Sequence, residues 1–152
     1  MDISIYFKAL DLDKLFSDNG YPGKRYYEGN QIIDQLENLA IDRGKALFGV
    51  SFANVQAYSG SPANSAIQFA LLEPVDTLMG LKLGGGGHLT HGHPKVTFSG
   101  TYYHSVQYGL GENARIDFDE MLALAKEHQP KMIIAGTTSY PLTLDFGRFR
   151  EV

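Results

Sequence analysis

The chain has 152 residues, of which 43% are hydrophobic and 20% are charged, a balance typical of one globular domain rather than of a disordered or fibrous chain. Its formal net charge of -4 provides no basic surplus for binding nucleic acid or an anionic membrane, so the sequence predicts neither partner. It contains no cysteine, which excludes a disulfide framework and thiolate chemistry, and no apolar run approaches the length of a membrane span, so we expect a cytoplasmic protein.

The first part of the chain predicts a turn followed by a helix. Residues 1–16 mix strand-like alternation with a short helical pattern and predict no clear element. The Pro-Gly pair within Gly20 to Gly23 predicts a turn, and Lys24 to Tyr27 then bring cations and tyrosines together. Gln31 to Phe48 predicts an amphipathic helix that ends at Gly49. The apolar face of this helix is formed by Ile32, Leu36, Leu39, Ala40 and Leu47.

The segment from Val50 to Leu72 predicts a strand, a turn of small residues and a helix. Val50 to Tyr58 is the predicted strand and Ser65 to Leu72 continues the helix, with Ser61 suited to its N-cap and Pro62 to its first helical position. The free backbone N–H groups and the positive dipole end at such a junction can hold a phosphate group. The same residues are equally a good helix start, and the pattern alone does not decide between these interpretations.

Four successive glycines, Gly84 to Gly87, follow a predicted strand from Asp76 to Leu83. They are atypical of a regular strand or helix, because glycine loses much backbone entropy and offers no side chain to pack. A bare backbone here would let a planar ring approach closely, with the imidazole of His88 lying against that ring. A metal site formed by His88, His91 and His93 is an alternative, and a glycine turn with solvated histidines is another.

The rest of the chain alternates strand and helix signals. Val96 to Tyr108 predicts extended structure broken near Ser99-Gly100, and Phe118 to His128 predicts a helix. Met132 to Ala135 predicts a strand that leads into a polar loop from Gly136 to Ser139. Strands that alternate with helices predict a parallel α/β sheet, in which ligands lie beyond the carboxyl ends of the strands.

Seven motifs, in the same order along the chain, resemble the serine hydroxymethyltransferase family. They are GYPGKRYY, LAIDRGKALFG, ANVQAYSGSPAN, ALLEP, GGHLTHG, FSG and AKEHQPKMIIAG, and the likeness covers Gly20 to Phe149. The resemblance implies the fold of pyridoxal-phosphate-dependent transferases of fold type I, with a mostly parallel sheet and flanking helices. It also implies transfer of a one-carbon unit between serine and tetrahydrofolate, which gives glycine and methylenetetrahydrofolate. We expect residues 1–16 to be an atypical segment and residues 17–152 to be the front part of the large domain.

The same resemblance implies roles for individual residues, with pyridoxal phosphate as the cofactor and no metal. The residues implied to hold the cofactor are Ser59, Gly60 and Ser61 at its phosphate, His88 on its ring and Thr138 at its phenolic oxygen. The residues implied to lie near folate or substrate are Tyr26, Tyr27, Leu83, Gly87 and Leu89, and the two tyrosines are implied to reach a site at a dimer interface.

Several positions depart from the family pattern. Ser17 and Asn19 stand where the family has a tyrosine and a glutamate, and an amide cannot take up or release a proton at neutral pH. Pro62 replaces a glutamine and Gly85 replaces a histidine. No lysine of the chain lies in the Thr-His-Lys context of the family's Schiff-base lysine, and the aspartate at the pyridine nitrogen has no counterpart.

These departures predict that the chain alone does not catalyse the family reaction. An alternative hypothesis is a noncatalytic module that binds pyridoxal phosphate or a similar phosphorylated ligand. Another is a subunit that forms a homodimer or pairs with a separate chain carrying the missing half of the site.

Overall fold

The computed structural model describes residues 20–25 and 30–152, which belong to two compact units, Met1–Gly60 and Ser61–Val152. The predictions for residues 1–16, for Ser17 and Asn19, and for Tyr26 and Tyr27 fall outside the described residues. Within the described ranges, no helix combines the length and the apolar character that crossing a membrane requires.

The first unit contains helix α1, Gln31–Phe48, which confirms the predicted helix at both ends. Gly49 ends it in the left-handed region with φ 63°, and its N–H caps the carbonyl of Lys45. Glycine adopts this conformation without the steric cost that a Cβ would impose, which is why it ends so many helices.

The predicted turn before α1 is present and is held to the helix by charge. Lys24 N donates to Tyr21 O at 2.8 Å, and Gly23 N donates to a carboxylate oxygen of Asp34 at 2.9 Å. The guanidinium of Arg25 bridges Asp34 and Glu37 on successive turns of α1. The bond from Gly23, and then the one from Arg25, lower the pKa of Asp34, so this carboxylate stays ionised to a lower pH than an ordinary aspartate and holds the turn in place.

The predicted strand from Val50 to Tyr58 is wrong, since the structure has no strand in that segment. Asn54 turns its side chain back on the chain, and its Oδ1 accepts from Gln56 N at 2.8 Å. Such local side-chain bonds occupy backbone donors that a sheet would otherwise use.

The apolar face of α1 is exposed, with Leu36 64% and Leu47 78% accessible.

The second unit is built on a parallel sheet of three strands in the order β2-β1-β3, which confirms the predicted parallel α/β class. The strands are β1, Thr77–Leu81; β2, His104–Tyr108; and β3, Met132–Ile133. In the register, Met79 of β1 faces Val106 on one side and Ile133 on the other. Leu78 to Leu81 are buried, as expected for the central strand of a sheet that is covered on both faces.

The helices of this unit are α2, Gly60–Leu71; α3, Phe98–Tyr102; α4, Phe118–His128; and α5, Phe146–Glu151. Helix α2 begins at the last residue of the first unit, so Ser61 is a residue of its first turn and the prediction of Ser61 as N-cap is wrong. Pro62 is compatible with this earlier start, because a first-turn residue has no intrahelical partner for an N–H. The short helix α3 lies where extended structure was predicted.

Aromatic stacking explains α3. The ring of Phe98 lies 4.7 Å from that of Phe69 on α2 and 4.6 Å from that of Tyr102, centroid to centroid. In a strand these two residues would also share a face but would lie about 13 Å apart, whereas one helical turn brings their rings within stacking distance.

Helix α4 matches its prediction. Asp117 caps its start by accepting from Asp119 N at 3.1 Å and Glu120 N at 2.9 Å, and Gln129 ends it with φ 47°. Met121 of α4 is fully buried in the main core together with Met79, Leu81 and Tyr108. The hydroxyl of Tyr108 donates to Ile134 O at 2.9 Å, which links the ends of β2 and β3 across the central strand.

Candidate functional site

Two loops meet at the carboxyl edge of the sheet, one after β1 and one after β3. The loop after β1 begins with a 3-10 turn, Leu83–Gly85, and then passes through Gly86 with φ 98°. In the loop after β3, Thr138 N and Ser139 N both donate to Gly86 O, at 2.8 Å and 3.1 Å. Because β1 and β3 are neighbours, their loops emerge side by side, and these two bonds join them into one surface.

Two glycines of the run, Gly86 and Gly87, are required by the packing of the protein itself. A Cβ on Gly86 would lie 2.6 Å from Tyr140 N, and a Cβ on Gly87 would lie 2.0 Å from Leu81 O. A Cβ on Gly84, by contrast, would meet nothing within 4 Å. The bare backbone was expected to admit a bound planar ring, but at Gly86 and Gly87 the close neighbour is the chain's own backbone.

His88 follows this run and its ring is held from one side. Nδ1 of His88 lies 2.8 Å from Thr90 Oγ1, and the backbone N–H of Thr90 donates to the same nitrogen at 3.1 Å. A backbone N–H can only donate, so Nδ1 accepts and the neutral imidazole carries its proton on Nε2. The side chain is half-buried, and part of its surface remains open to a ligand.

His91 is a buried structural residue, with 7% of its surface exposed. Its Nδ1 accepts from the backbone N–H of His88 at 3.3 Å. Burial, and secondarily the neighbouring His88, lowers the pKa of His91, so the ring is neutral at pH 7. In the part of the chain that the structure describes, no group of three metal-ligating side chains is placed to hold a metal ion.

The hydroxyls implied to contact the cofactor are accessible. Thr138 is exposed on the loop after β3, and Ser61 is exposed in the first turn of α2. Neither side chain has a hydrogen-bond partner among the described residues, so both hydroxyls are available to a ligand. Ser59 and Gly60 are also exposed and precede Ser61 in the chain, but they belong to the first unit.

The implied folate residues lie on the same loop with different exposure. Leu83 is 45% exposed, Leu89 is half-buried and Gly87 is buried. A groove of about 490 Å³ lies next to them at the carboxyl ends of β1 and β2, and Lys82, Gly84, Leu110 and Glu120 contribute to its walls. Lys82 Nζ lies 3.2 Å from Glu120 Oε1, so the one cation of these four residues is paired with a carboxylate.

Sequence reasoning missed Asn64, Gln68, Thr90 and Tyr140, all of which shape this region. Asn64 Nδ2 donates to Thr90 Oγ1 and Gln68 Nε2 donates to Thr90 O, both at 2.8 Å. The only signal in the sequence is the spacing of Asn64 and Gln68 by four residues within an otherwise small and apolar helix. That spacing places two amides on one helix face and predicts a buried polar partner.

A parallel sheet flanked by helices, with glycine-rich and polar loops at its carboxyl edge, defines an α/β protein, and proteins of this class bind ligands at that edge. The family model for serine hydroxymethyltransferase matches residues 11–152, so the chain belongs to the serine hydroxymethyltransferase family. It therefore represents part of a pyridoxal-phosphate-dependent fold of type I.

Curated relatives agree with this assignment. The chain is 56% identical over 133 residues to "Serine hydroxymethyltransferase" of Desulfotalea psychrophila, covering 88% of the chain and 31% of the relative. It is 58% identical over 134 residues to "Serine hydroxymethyltransferase 4" of Colwellia psychrerythraea, covering 88% of the chain and 32% of the relative. It is 57% identical over 133 residues to "Serine hydroxymethyltransferase" of Chromohalobacter salexigens, covering 88% of the chain and 31% of the relative. The chain spans about a third of the length of these relatives.

The Gly87→Ala substitution tests the packing role of the glycine run. We expect it to destabilise the chain by about 3 kcal/mol, because the added methyl group meets a backbone carbonyl that cannot turn away. Gly84→Ala is the matched control and should change the free energy of unfolding by less than about 0.5 kcal/mol. Urea denaturation of both variants measures the difference, and equal stabilities would contradict this account.

The burial of His91 predicts a pH dependence of stability. Its folded pKa lies below the ordinary value of 6.5, so the unfolded chain binds the proton more tightly. Stability from this group is complete above pH 6.5 and is lost as the pH falls through the folded pKa. We expect the urea midpoint to fall between about pH 7.5 and about pH 5.5, and His91→Asn, which keeps an acceptor for His88 N, to flatten that fall. An unchanged profile in the variant would argue against His91 as its source.

Proposed function

We propose that this chain forms the cofactor-phosphate and ring-stacking part of a serine hydroxymethyltransferase site. The family reaction converts serine and tetrahydrofolate to glycine and methylenetetrahydrofolate. The observation that carries the proposal is the junction at Gly86 O, which holds the loop of His88 and the loop of Thr138 together at the carboxyl edge of the sheet. Family membership supports the reaction class.

The residues of the chain fit pyridoxal phosphate. Ser61 offers a hydroxyl in the first turn of a helix of 12 residues, where the free backbone N–H groups and the dipole favour an anion. Ser59 and Gly60 are assigned to the cofactor phosphate by resemblance alone. His88 offers a flat ring, half-buried and held from its Nδ1 side. Thr138 offers an exposed hydroxyl to the phenolic oxygen of the cofactor. When bound, pyridoxal phosphate supplies an electron-withdrawing ring for the electrons released at the serine α-carbon.

We further propose that the folate side of the site lies along the same loop, at Leu83, Gly87 and Leu89. The partial exposure of Leu83 offers apolar surface to a flat ring system. Tyr26 and Tyr27 are assigned to the same site by resemblance alone. Asn19 can donate and accept hydrogen bonds there but cannot transfer a proton at neutral pH.

The chain by itself is proposed to bind without turnover. None of its lysines lies in the Thr-His-Lys context of the family's Schiff-base residue, and no other group of the chain is proposed to replace it. The half of the site present here positions the cofactor and excludes water from one face of its ring. The bond-breaking step requires groups that we assign to the longer family protein.

A pyridoxal phosphate titration tests this proposal. We expect saturable binding by quenching of tyrosine fluorescence, weakened about fivefold in His88→Ala, because an aromatic stack contributes about 1 kcal/mol. His104→Ala removes an exposed imidazole at the start of β2, away from the carboxyl edge, and is the matched control. Equal affinity in both variants would exclude His88 as the stacking residue.

Borohydride reduction after loading separates binding from catalysis. Slow labelling spread over several exposed lysines is expected for a chain that lacks the Schiff-base residue. Rapid, stoichiometric labelling of one lysine, with conversion of serine to glycine, would overturn the proposal that the chain alone is inactive.

We propose a second copy of this chain as the partner of α1. The apolar residues on this helix are exposed, with Ile32 76%, Leu36 64% and Leu47 78% accessible, and an exposed apolar stripe of this size is typical of an interface. The resemblance, which implies a site built between subunits, supports a homodimer.

Sedimentation velocity tests the homodimer. We expect a concentration-dependent dimer that becomes monomeric in Leu36→Glu, whereas Asp42→Lys, on the polar side, leaves it intact. A monomer at all concentrations would favour a separate complementing chain instead.

A further inference from the structure

Helix α2 presents two amides to a single residue of the glycine-histidine loop. Asn64 Nδ2 donates to the hydroxyl of Thr90, and Gln68 Nε2 donates to its carbonyl, both at 2.8 Å. Gln68 and Thr90 are almost fully buried, at 1% and 8% exposure. The four-residue spacing of the amides puts them on one face of the helix, so α2 binds both the side-chain hydroxyl and the backbone carbonyl of Thr90.

Thr90 in turn hydrogen-bonds the ring of His88. Its hydroxyl oxygen accepts from Asn64, so the hydroxyl hydrogen remains free to donate to His88 Nδ1 at 2.8 Å. A flipped amide at Asn64 would reverse this chain of bonds, but the backbone N–H of Thr90 also donates to Nδ1 and cannot reverse. Two donors from the same residue therefore converge on one ring nitrogen.

The backbone of His88 is fixed as well. Its N–H donates to His91 Nδ1, and the carbonyl of His88 accepts from His91 N at 3.0 Å. With the backbone held by His91 and the ring held by Thr90, rotation of the imidazole about its side-chain torsions would break bonds to partly or fully buried groups. The free edge of the ring is the Nε2 edge.

We propose that Thr90, held by Asn64 and Gln68, is a positioning residue that fixes the plane and the Nε2–H tautomer of His88 for stacking on a planar ligand. The inference rests on the proposed function of His88. It also links two parts of the site, because Asn64 lies within one helical turn of Ser61. The phosphate-binding end of α2 and the stacking ring are thereby joined through the hydrogen bonds of Thr90.

Nitrogen NMR of the histidine side chains tests the positioning role without any cofactor. In the unmodified chain we expect His88 at neutral pH as the Nε2–H tautomer, with Nδ1 shifted in the manner of a hydrogen-bond acceptor. Thr90→Val removes the hydroxyl and should move the Nδ1 resonance toward that of an unbonded nitrogen. Thr90→Ser should restore it. Asn64→Asp should move it too, because a carboxylate would draw the hydroxyl hydrogen of Thr90 away from the ring.

Binding of pyridoxal phosphate provides the second readout. We expect Thr90→Val to weaken it about fivefold and Thr90→Ser to recover most of the loss, as for one hydrogen bond. Thr101→Val is the matched control, since its exposed hydroxyl bonds only carbonyls of its own turn. An Nδ1–H tautomer in the unmodified chain, or an Nδ1 resonance unmoved by Thr90→Val, would overturn the positioning role. If the resonances behave as expected but His88→Ala binds the cofactor normally, the positioning stands and the proposed function fails.

Discussion

The site depends on the burial of β1 between two parallel neighbours. A central strand with both faces covered must end at a sheet edge where its loop meets the loops of its neighbours. Here that meeting is made by one carbonyl, Gly86 O, which accepts from Thr138 N and Ser139 N. The carbonyl can approach so closely only because Gly86 has no side chain to collide with Tyr140. Parallel topology and a bare backbone together place the histidine loop beside the threonine loop.

Buried polar groups make this arrangement specific. An amide such as Gln68 costs free energy in an apolar environment unless it is bonded, and its donor group finds a partner in Thr90 O. The same loop satisfies the hydroxyl of Thr90 and one nitrogen each of His88 and His91. A shift of this loop along α2 would leave the amide donors of Asn64 and Gln68 without their partners on Thr90. The position of the His88 ring is therefore coupled to the packing of α2.

The sequence predicted what depends on local periodicity and missed what depends on distant partners. Helices α1 and α4 matched their predicted bounds, because their apolar spacing and terminal residues are local signals. The strand predicted from Val50 to Tyr58 was wrong, because pairing depends on a neighbour rather than on β-branched residues alone. The resemblance assigned roles to His88 and Thr138, but it did not indicate Thr90, whose partners lie 26 and 22 residues earlier in the chain. A threonine in a loop carries no periodic signal that would reveal such contacts.

The hydrogen bonds that orient the His88 ring belong to the second unit. Ser61, His88, Thr90 and Thr138 all lie within Ser61–Val152, and every bond that orients the histidine ring is made inside that range. The same range encloses its own core around Met79, Tyr108 and Met121, so the loops rest on a packed sheet. All of these bonds are made within a chain that spans about a third of the length of its curated relatives. The proposed stacking and phosphate binding are therefore open to measurement in this chain independently of catalysis, and such a measurement separates a binding defect from a missing catalytic group.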